Sequence, residues 1–208
     1  PVAQPGLKFI VITILITGML FYFGWILFAW CSFAVTLFVC WFFRDPDRSV
    51  PQDEKSLISP ADGKVIIVEK QEKCEYLSDP CIKVSIFMNV FNVHVNRIPF
   101  DGKVQKVEYH PGKFMNASFD KASTHNERNA LMIKTADDTS FAVVQIAGLI
   151  ARRIVNCVKE GEMVKKGDRY GMIQFGSRLD LYLPRDFDVA VKVGEKTKAG
   201  SSIIGYMK

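Results

Sequence analysis

The sequence predicts a mainly β domain carrying an N-terminal α-helical membrane anchor. Three observations predict it. The run Phe9–Phe43 contains no charged residue. After residue 56 the apolar residues fall into short runs with strand-like alternation. Pairs such as Asp62-Gly63, Asp101-Gly102, Pro111-Gly112, Asp137-Asp138, Glu160-Gly161 and Ala199-Gly200 punctuate those runs as turns. Residues 1–48 are therefore expected to form the anchoring helices and residues 49–208 the β domain.

As one straight helix, Phe9–Phe43 would reach roughly 52 Å, well beyond a hydrocarbon core of about 30 Å. Two helices, about Phe9–Phe23 and Trp25–Phe43, bent near Gly24, fit better; a shallow hairpin held in one leaflet stays open. A secretory signal is the alternative, but the run is too long and no small-residue cleavage site follows it. Lys8 precedes the run and Arg44 and Arg48 follow it, which suits a hairpin with both ends on the cytoplasmic side. Because the chain opens at Pro1, a few preceding residues are expected to have been removed.

Pro46, in Arg44-Asp45-Pro46-Asp47-Arg48, ends the second helix, and residues 49–56 read as a polar linker. Strands are expected at Lys64–Lys70, Ile82–Met88, Lys103–Tyr109, Leu131–Thr135, Phe141–Ile146, Arg153–Val158, Arg169–Gln174, Leu179–Leu183, Val189–Val193 and Ser202–Tyr206. This spacing predicts a β-sandwich or barrel-like fold. The polar stretch Lys113–Asn129 lacks a strand pattern and reads as a substrate-side flap. Two internal echoes stand out. Asp62-Gly63-Lys64-Val65 returns as Asp101–Val104, and Lys165-Lys166-Gly167-Asp168 with Gly171 returns as Lys198-Ala199-Gly200-Ser201 with Gly205. Similar hairpins reusing turn chemistry would explain them, and so would a lipoyl-hybrid-like sandwich.

The formal charge of +5 and the pI near 8.9 are too mildly basic for a nucleic-acid binder, and no nucleic-acid partner is expected. Beside an anchor, that excess reads as attraction to anionic lipid. The five cysteines include no CxxC pair, and only His94, His110 and His125 supply imidazoles, so no metal site is expected. Cys74 and Cys81 are expected as thiols rather than a disulfide.

The chemistry is sought first at Gly176-Ser177, between two strand-like runs. A Gly-Ser bulge or turn is the simple reading. The reactive reading is attack of Ser177 Oγ on the Gly176 carbonyl, which no Cβ shields. The resulting ester permits β-elimination, and hydrolysis of the dehydroalanine product leaves a pyruvoyl group at the new N-terminus. That keto group can form a Schiff base with an amine substrate. Asp62, in Ser59-Pro60-Ala61-Asp62-Gly63, is either a turn residue or a base or orienting group for the cut. Strand alternation puts His94 on one face with Asn92 and Asn96; the alternatives are a solvent-facing histidine or a proton-transfer group. Arg152, Arg153 and Arg178 are candidates for a phosphate or carboxylate, or solvated strand residues.

Four segments in order, Phe43–Arg48, Ser59–Gly63, Asn92–Arg97 with Pro99 and Gly102, and Phe175–Arg178, resemble the short bacterial phosphatidylserine decarboxylase proenzymes. Gln145–Val155 also resembles the family, and the likeness runs from about Phe42 to the C-terminus. It implies a cut between Gly176 and Ser177, giving a β chain of residues 1–176 and an α chain of residues 177–208. It further implies a covalent pyruvoyl from Ser177 as the cofactor, with neither metal nor pyridoxal phosphate, Asp62 in self-processing, and His94 in processing or decarboxylation. Arg97 stands where longer members carry a second histidine, and with Arg152 and Arg178 it is a candidate for the substrate. The implied reaction converts phosphatidylserine in the bacterial inner membrane, on its cytoplasmic side, to phosphatidylethanolamine and CO2. Partners are then the lipid and the two chains of the cut protein, with a homodimer left open. The alternatives are a lipoyl-like adaptor or carrier without catalysis, and a decarboxylase of an archaeol-type serine lipid.

Overall fold

The computed structural model describes residues 1–114, 117, 125–148, 153–174 and 177–208, and divides into two compact units, Pro1–Asp47 and Arg48–Lys208.

The first unit is a helical hairpin: a 3-10 turn at Gln4–Gly6, α1 (Leu7–Tyr22) and α2 (Ile26–Phe42). The bend falls at Gly24, whose φ of 73° only glycine adopts readily. Its N–H bonds Phe21 O at 3.1 Å and the Trp25 N–H bonds Leu20 O at 3.0 Å, so the last carbonyls of α1 are satisfied as the chain reverses. The two helices meet through small and hydroxyl side chains. Thr17 Oγ1 lies 2.7 Å from Ser32 Oγ and 3.2 Å from Thr36 Oγ1, and Ala29 is buried. At the open end, the Ala3 N–H bonds Phe43 O and the Asp45 N–H bonds Pro1 O. Large apolar side chains cover the outside, among them Val11, Leu15, Leu27 and Phe28. Apolar character all round is what a lipid environment requires. Gln4–Tyr22 is long and apolar enough to cross a membrane, and Ile26–Phe42 is shorter.

The second unit is built on an antiparallel eight-stranded sheet in the order β13-β2-β3-β11-β7-β6-β5-β9. Its strands are β2 (Gly63–Gln71), β3 (Cys81–Met88), β5 (Gly102–His110), β6 (Arg128–Lys134), β7 (Ser140–Ala147), β9 (Met163–Val164), β11 (Ser177–Pro184) and β13 (Lys196–Thr197). Two three-stranded sheets complete it: β1 (Ser56–Ile58), β14 (Ile203–Tyr206) and β12 (Asp188–Val189), and β4 (Val95–Arg97), β10 (Arg169–Ile173) and β8 (Ile154–Asn156). β11 is the central strand, paired with β3 along its length and with β7 over Ser177–Tyr182. Leu179, Leu181 and Leu183 enter the main core with Val84, Ile86, Leu131 and Val143. Each buried leucine contributes about 1.5–3 kcal/mol. The opposite face of β11 is buried too, under a smaller cluster that joins Tyr182 to Tyr76, Val144 and Ile146.

The echoed segments occupy matched places. Asp62-Gly63 and Asp101-Gly102 lead into β2 and β5, and both strands shift register just after the matching valines, Val65 and Val104. β2 receives β13 and β5 receives β9 at the same positions. Val65 N–H bonds Glu195 O and Val104 N–H bonds Glu162 O, both at 2.9 Å. The two copies also bond each other, from Ile58 N–H to Pro99 O and from Arg97 N–H to Pro60 O, both at 3.0 Å. The repetition thus extends past turn chemistry to whole strand–hairpin units.

Some expectations shift. Ser56, placed in the linker, opens β1, and Arg128 and Asn129, placed in the flap, open β6. Lys113 bridges Asn126 at the flap's base, while residues 115–116 and 118–124 lie outside the described residues. The strand expected at Val189–Val193 shortens to Asp188–Val189, because Lys192–Glu195 form a turn closed by the Glu195 N–H on Lys192 O. The five cysteines are free thiols.

Candidate active site

Ser177 is the first residue of β11, opposite Met88 on β3 and Ala147 on β7. Its exposure is 0%, and its Oγ has no hydrogen-bond partner among the described residues. A buried unsatisfied hydroxyl costs about 1–3 kcal/mol and calls for an explanation. Tyr170 carries the other such oxygen; burial raises the pKa of its hydroxyl and keeps it protonated. Gly176, the other side of the expected cut, lies outside the described residues, as does Arg152.

His94 just precedes β4, and its carbonyl accepts the Ile173 N–H at 3.3 Å. The histidine backbone is therefore bonded to the segment that runs through Gln174 towards Ser177. The solvent-facing alternative is overturned, since the side chain is fully buried. Its Nδ1 lies 3.0 Å from Asn92 O. A carbonyl only accepts, so Nδ1 carries a proton. Asn92 is held in turn: its Oδ1 accepts the Asn89 N–H, and Asn89 Oδ1 accepts the Phe91 N–H, both at 2.9 Å.

Asp62 Oδ1 accepts the Ala199 N–H at 2.7 Å, and Arg48 Nη2 reaches both carboxylate oxygens, at 3.1 and 2.9 Å. Lys64 pairs with Phe87 and Phe87 with Arg178, so β3 lies between the start of β2 and that of β11. At the usual strand spacing, the backbones at these two ends are roughly 10 Å apart.

The arginines differ in their surroundings. Arg97, on β4, donates from Nη1 to Gly167 O at 2.9 Å and packs its Cδ over Gly200. Arg178 is fully buried. It donates from Nε to Asp180 Oδ1 at 2.6 Å, and from Nη2 to Asp180 Oδ2 at 3.0 Å and to Ser85 Oγ at 2.9 Å. The two-pronged carboxylate expected from a substrate is supplied here by the protein itself. Among the described residues, no three His, Cys, Asp or Glu side chains converge as a metal site would need.

One feature of this region escaped the sequence reading. Asn129 Nδ2 donates to Gln145 Oε1 at 3.3 Å, Gln145 Nε2 to Asn96 Oδ1 at 2.9 Å, and Asn96 Nδ2 to Met88 Sδ at 3.7 Å. The chain of amides ends beside the cross-strand partner of Ser177. Its signal was a single amide inside the apolar run Ala142-Val143-Val144-Gln145-Ile146-Ala147.

A buried serine without a partner among the described residues stands at the head of a central strand, and the backbone of a buried histidine is bonded to the strand before it, which leaves a candidate serine–histidine site in a β domain. The comparisons name the family. Residues 35–205 match the family model described as phosphatidylserine decarboxylase. A phosphatidylserine decarboxylase proenzyme of Syntrophus aciditrophicus (strain SB) is 52% identical over 207 residues, covering 98% of this chain and 96% of the relative. One from Burkholderia ambifaria (strain MC40-6) is 47% identical, covering 100% and 96%. One from Magnetococcus marinus is 48% identical over 184 residues, covering 88% and 81%. The chain belongs to the phosphatidylserine decarboxylase family, a family of enzymes.

Proposed function

We propose that this chain cuts itself between Gly176 and Ser177 and then decarboxylates phosphatidylserine to phosphatidylethanolamine, releasing CO2. The observation that carries the reading is the orphaned, fully buried Ser177 Oγ, in a chain whose relatives are named proenzymes. A hydroxyl that serves the fold would be bonded; one waiting to be consumed need not be.

In the cut, Oγ attacks the Gly176 carbonyl, and the C–N bond breaks as the ester C–O bond forms. Loss of the Ser177 Cα proton then breaks the Cβ–Oγ bond, releasing the Gly176 carboxylate. Water replaces the nitrogen left on Cα, which departs as ammonia. His94 is the group we assign to proton transfer, and Asp62 is assigned to the self-processing step. A pyruvoyl at position 177 supplies an electron sink for the amine substrate. The site fits such a group: the Oγ that leaves with Gly176 makes no bond among the described residues, and the neighbours Met88 and Ala147 are uncharged.

The fold also supports a cut at this place. β11 remains bonded to β3 and β7 after the break, and residues 177–208 also supply β12, β13 and β14, so both products stay in one domain. We read the apolar hairpin as the membrane anchor, with Lys8 and Arg44 near its two ends placing them on the cytoplasmic side of the inner membrane. Tethering raises the effective concentration of lipid at the site. We keep Arg97 and Arg152 as candidates for the substrate's anionic groups, and leave Arg178 out because Asp180 already engages it.

The test is CO2 release from phosphatidylserine vesicles by wild type and by Ser177→Ala. The wild type is expected to turn over and the variant to release none. Release by the variant would exclude Ser177 as the source of the reactive group.

A further inference from the structure

The repeated unit contains its own control for Asp62. In one copy, Asp62 Oδ1 accepts the Ala199 N–H at 2.7 Å; in the other, Asp101 Oδ1 accepts the Lys166 N–H at 2.5 Å. Each carboxylate caps the turn before a glycine of positive φ, Gly200 at 79° and Gly167 at 91°. Capping is therefore what the fold requires of both.

The copies differ in what lies over that turn. A Cβ on Gly200 would meet Arg97 Cδ at 2.7 Å and Arg48 Cβ at 3.3 Å, whereas a Cβ on Gly167 would meet Val50 Cγ2 at 2.5 Å. The segment after the helices thus brings Arg48 beside one turn, with its guanidinium on Asp62, and sets the aliphatic Val50 over the other. Arg48 grips both oxygens of Asp62, with the two side chains only 14% and 12% exposed. Asp101 is exposed and has no ion pair among the described residues. Nη2 shared between the two oxygens holds the carboxylate at both of them, which a single turn cap does not.

We infer that Arg48 is a positioning residue for self-cleavage, acting by holding the Asp62 carboxylate at both oxygens, and that the second copy, with Val50 and Asp101, serves the fold alone. The inference rests on the proposed cut at Ser177 and on the role assigned there to Asp62.

The test follows cutting over time in full-length protein made in a cell-free system with vesicles, comparing wild type with Arg48→Gln, Arg48→Lys and Asp101→Asn. Arg48→Gln is expected to slow the cut by about a hundredfold, the usual scale for a misplaced reacting group. Millimolar guanidinium is expected to restore part of that rate, which it would not do for a chain that had merely failed to fold. Arg48→Lys is expected to fall between, because it keeps a cationic nitrogen but carries it on a differently shaped and more flexible side chain than the planar guanidinium. Asp101→Asn keeps its cap acceptor and is expected to cut at the wild-type rate. Wild-type cutting in Arg48→Gln would overturn the inference, as would equal slowing in Arg48→Gln and Asp101→Asn, or a slow Arg48→Gln that guanidinium leaves unchanged. A wild type that never cuts would instead overturn the reading of Ser177, so the two failures are distinguishable.

Discussion

Ser177 and Arg178 are neighbours on one strand, both fully buried, yet the sheet treats its two faces oppositely. On the Arg178 face, charge meets charge: Asp180 takes both prongs of the guanidinium, Ser85 takes a third bond, and Lys83 Nζ stands 3.8 Å from Asp180. On the Ser177 face, the hydroxyl makes no bond among the described residues. The difference teaches where anchoring and chemistry are separated. The strand is held by ion pairs on one face and by Leu179, Leu181 and Leu183 in the core on the other, so its first residue can be altered without releasing it.

The largest effect expected from this contrast is at the unpartnered face. Ser177→Ala should abolish both the cut and CO2 release, while melting no lower than wild-type precursor, because the lost oxygen bonds nothing among the described residues. Gels and a melting curve check both halves, and a variant that still cuts would erase the contrast. Next comes His94→Ala, for which CO2 release should drop by about 10²- to 10⁴-fold, the range for a lost general acid or base. Release at the wild-type rate would remove His94 from the chemistry.

On the bonded face the expected losses are in stability. In the uncut Ser177→Ala background, Arg178→Met should cost about 3–5 kcal/mol, since it strands the Asp180 carboxylate in the interior, while Arg178→Met with Asp180→Leu should recover most of it. Denaturant titration measures both, and a harmless single substitution would show that this face is not the anchor. The smallest effect concerns Tyr76, which stacks edge-on against Tyr182 under the same face. Burial, and then the charge of Glu75, push its hydroxyl up from 10.0 to about 12. The folded state holds that proton longer than the unfolded chain does, so this contribution is complete below pH 10 and is lost as pH rises towards 12. Tyr76→Phe should flatten that alkaline loss and, by removing the acceptor of Arg128 Nε at 3.1 Å, cost about 1 kcal/mol near neutrality.

Much of this was legible in the sequence. Alternation placed Leu179, Leu181 and Leu183 in the core, and Gly24 marked the bend of the apolar run, because both depend on local geometry. The same alternation sets Arg178 and Asp180 side by side on the other face, so their pairing was readable, although an arginine beside a proposed cut invites a substrate reading. What could not be read depends on distant partners. β9 and β13 are two residues long and exist through β5 and β2. Burial of His94 depends on how β4 and β10 meet. The amides Asn96, Gln145 and Asn129 belong to three separate strands that only the fold brings together.

The central claim is most directly tested by the intact mass of purified, catalytically competent protein. The account predicts two chains, residues 1–176 and 177–208, the shorter beginning with a keto group in place of an amine. A single chain of 208 residues, with Ser177 unmodified in material that still releases CO2, would contradict it.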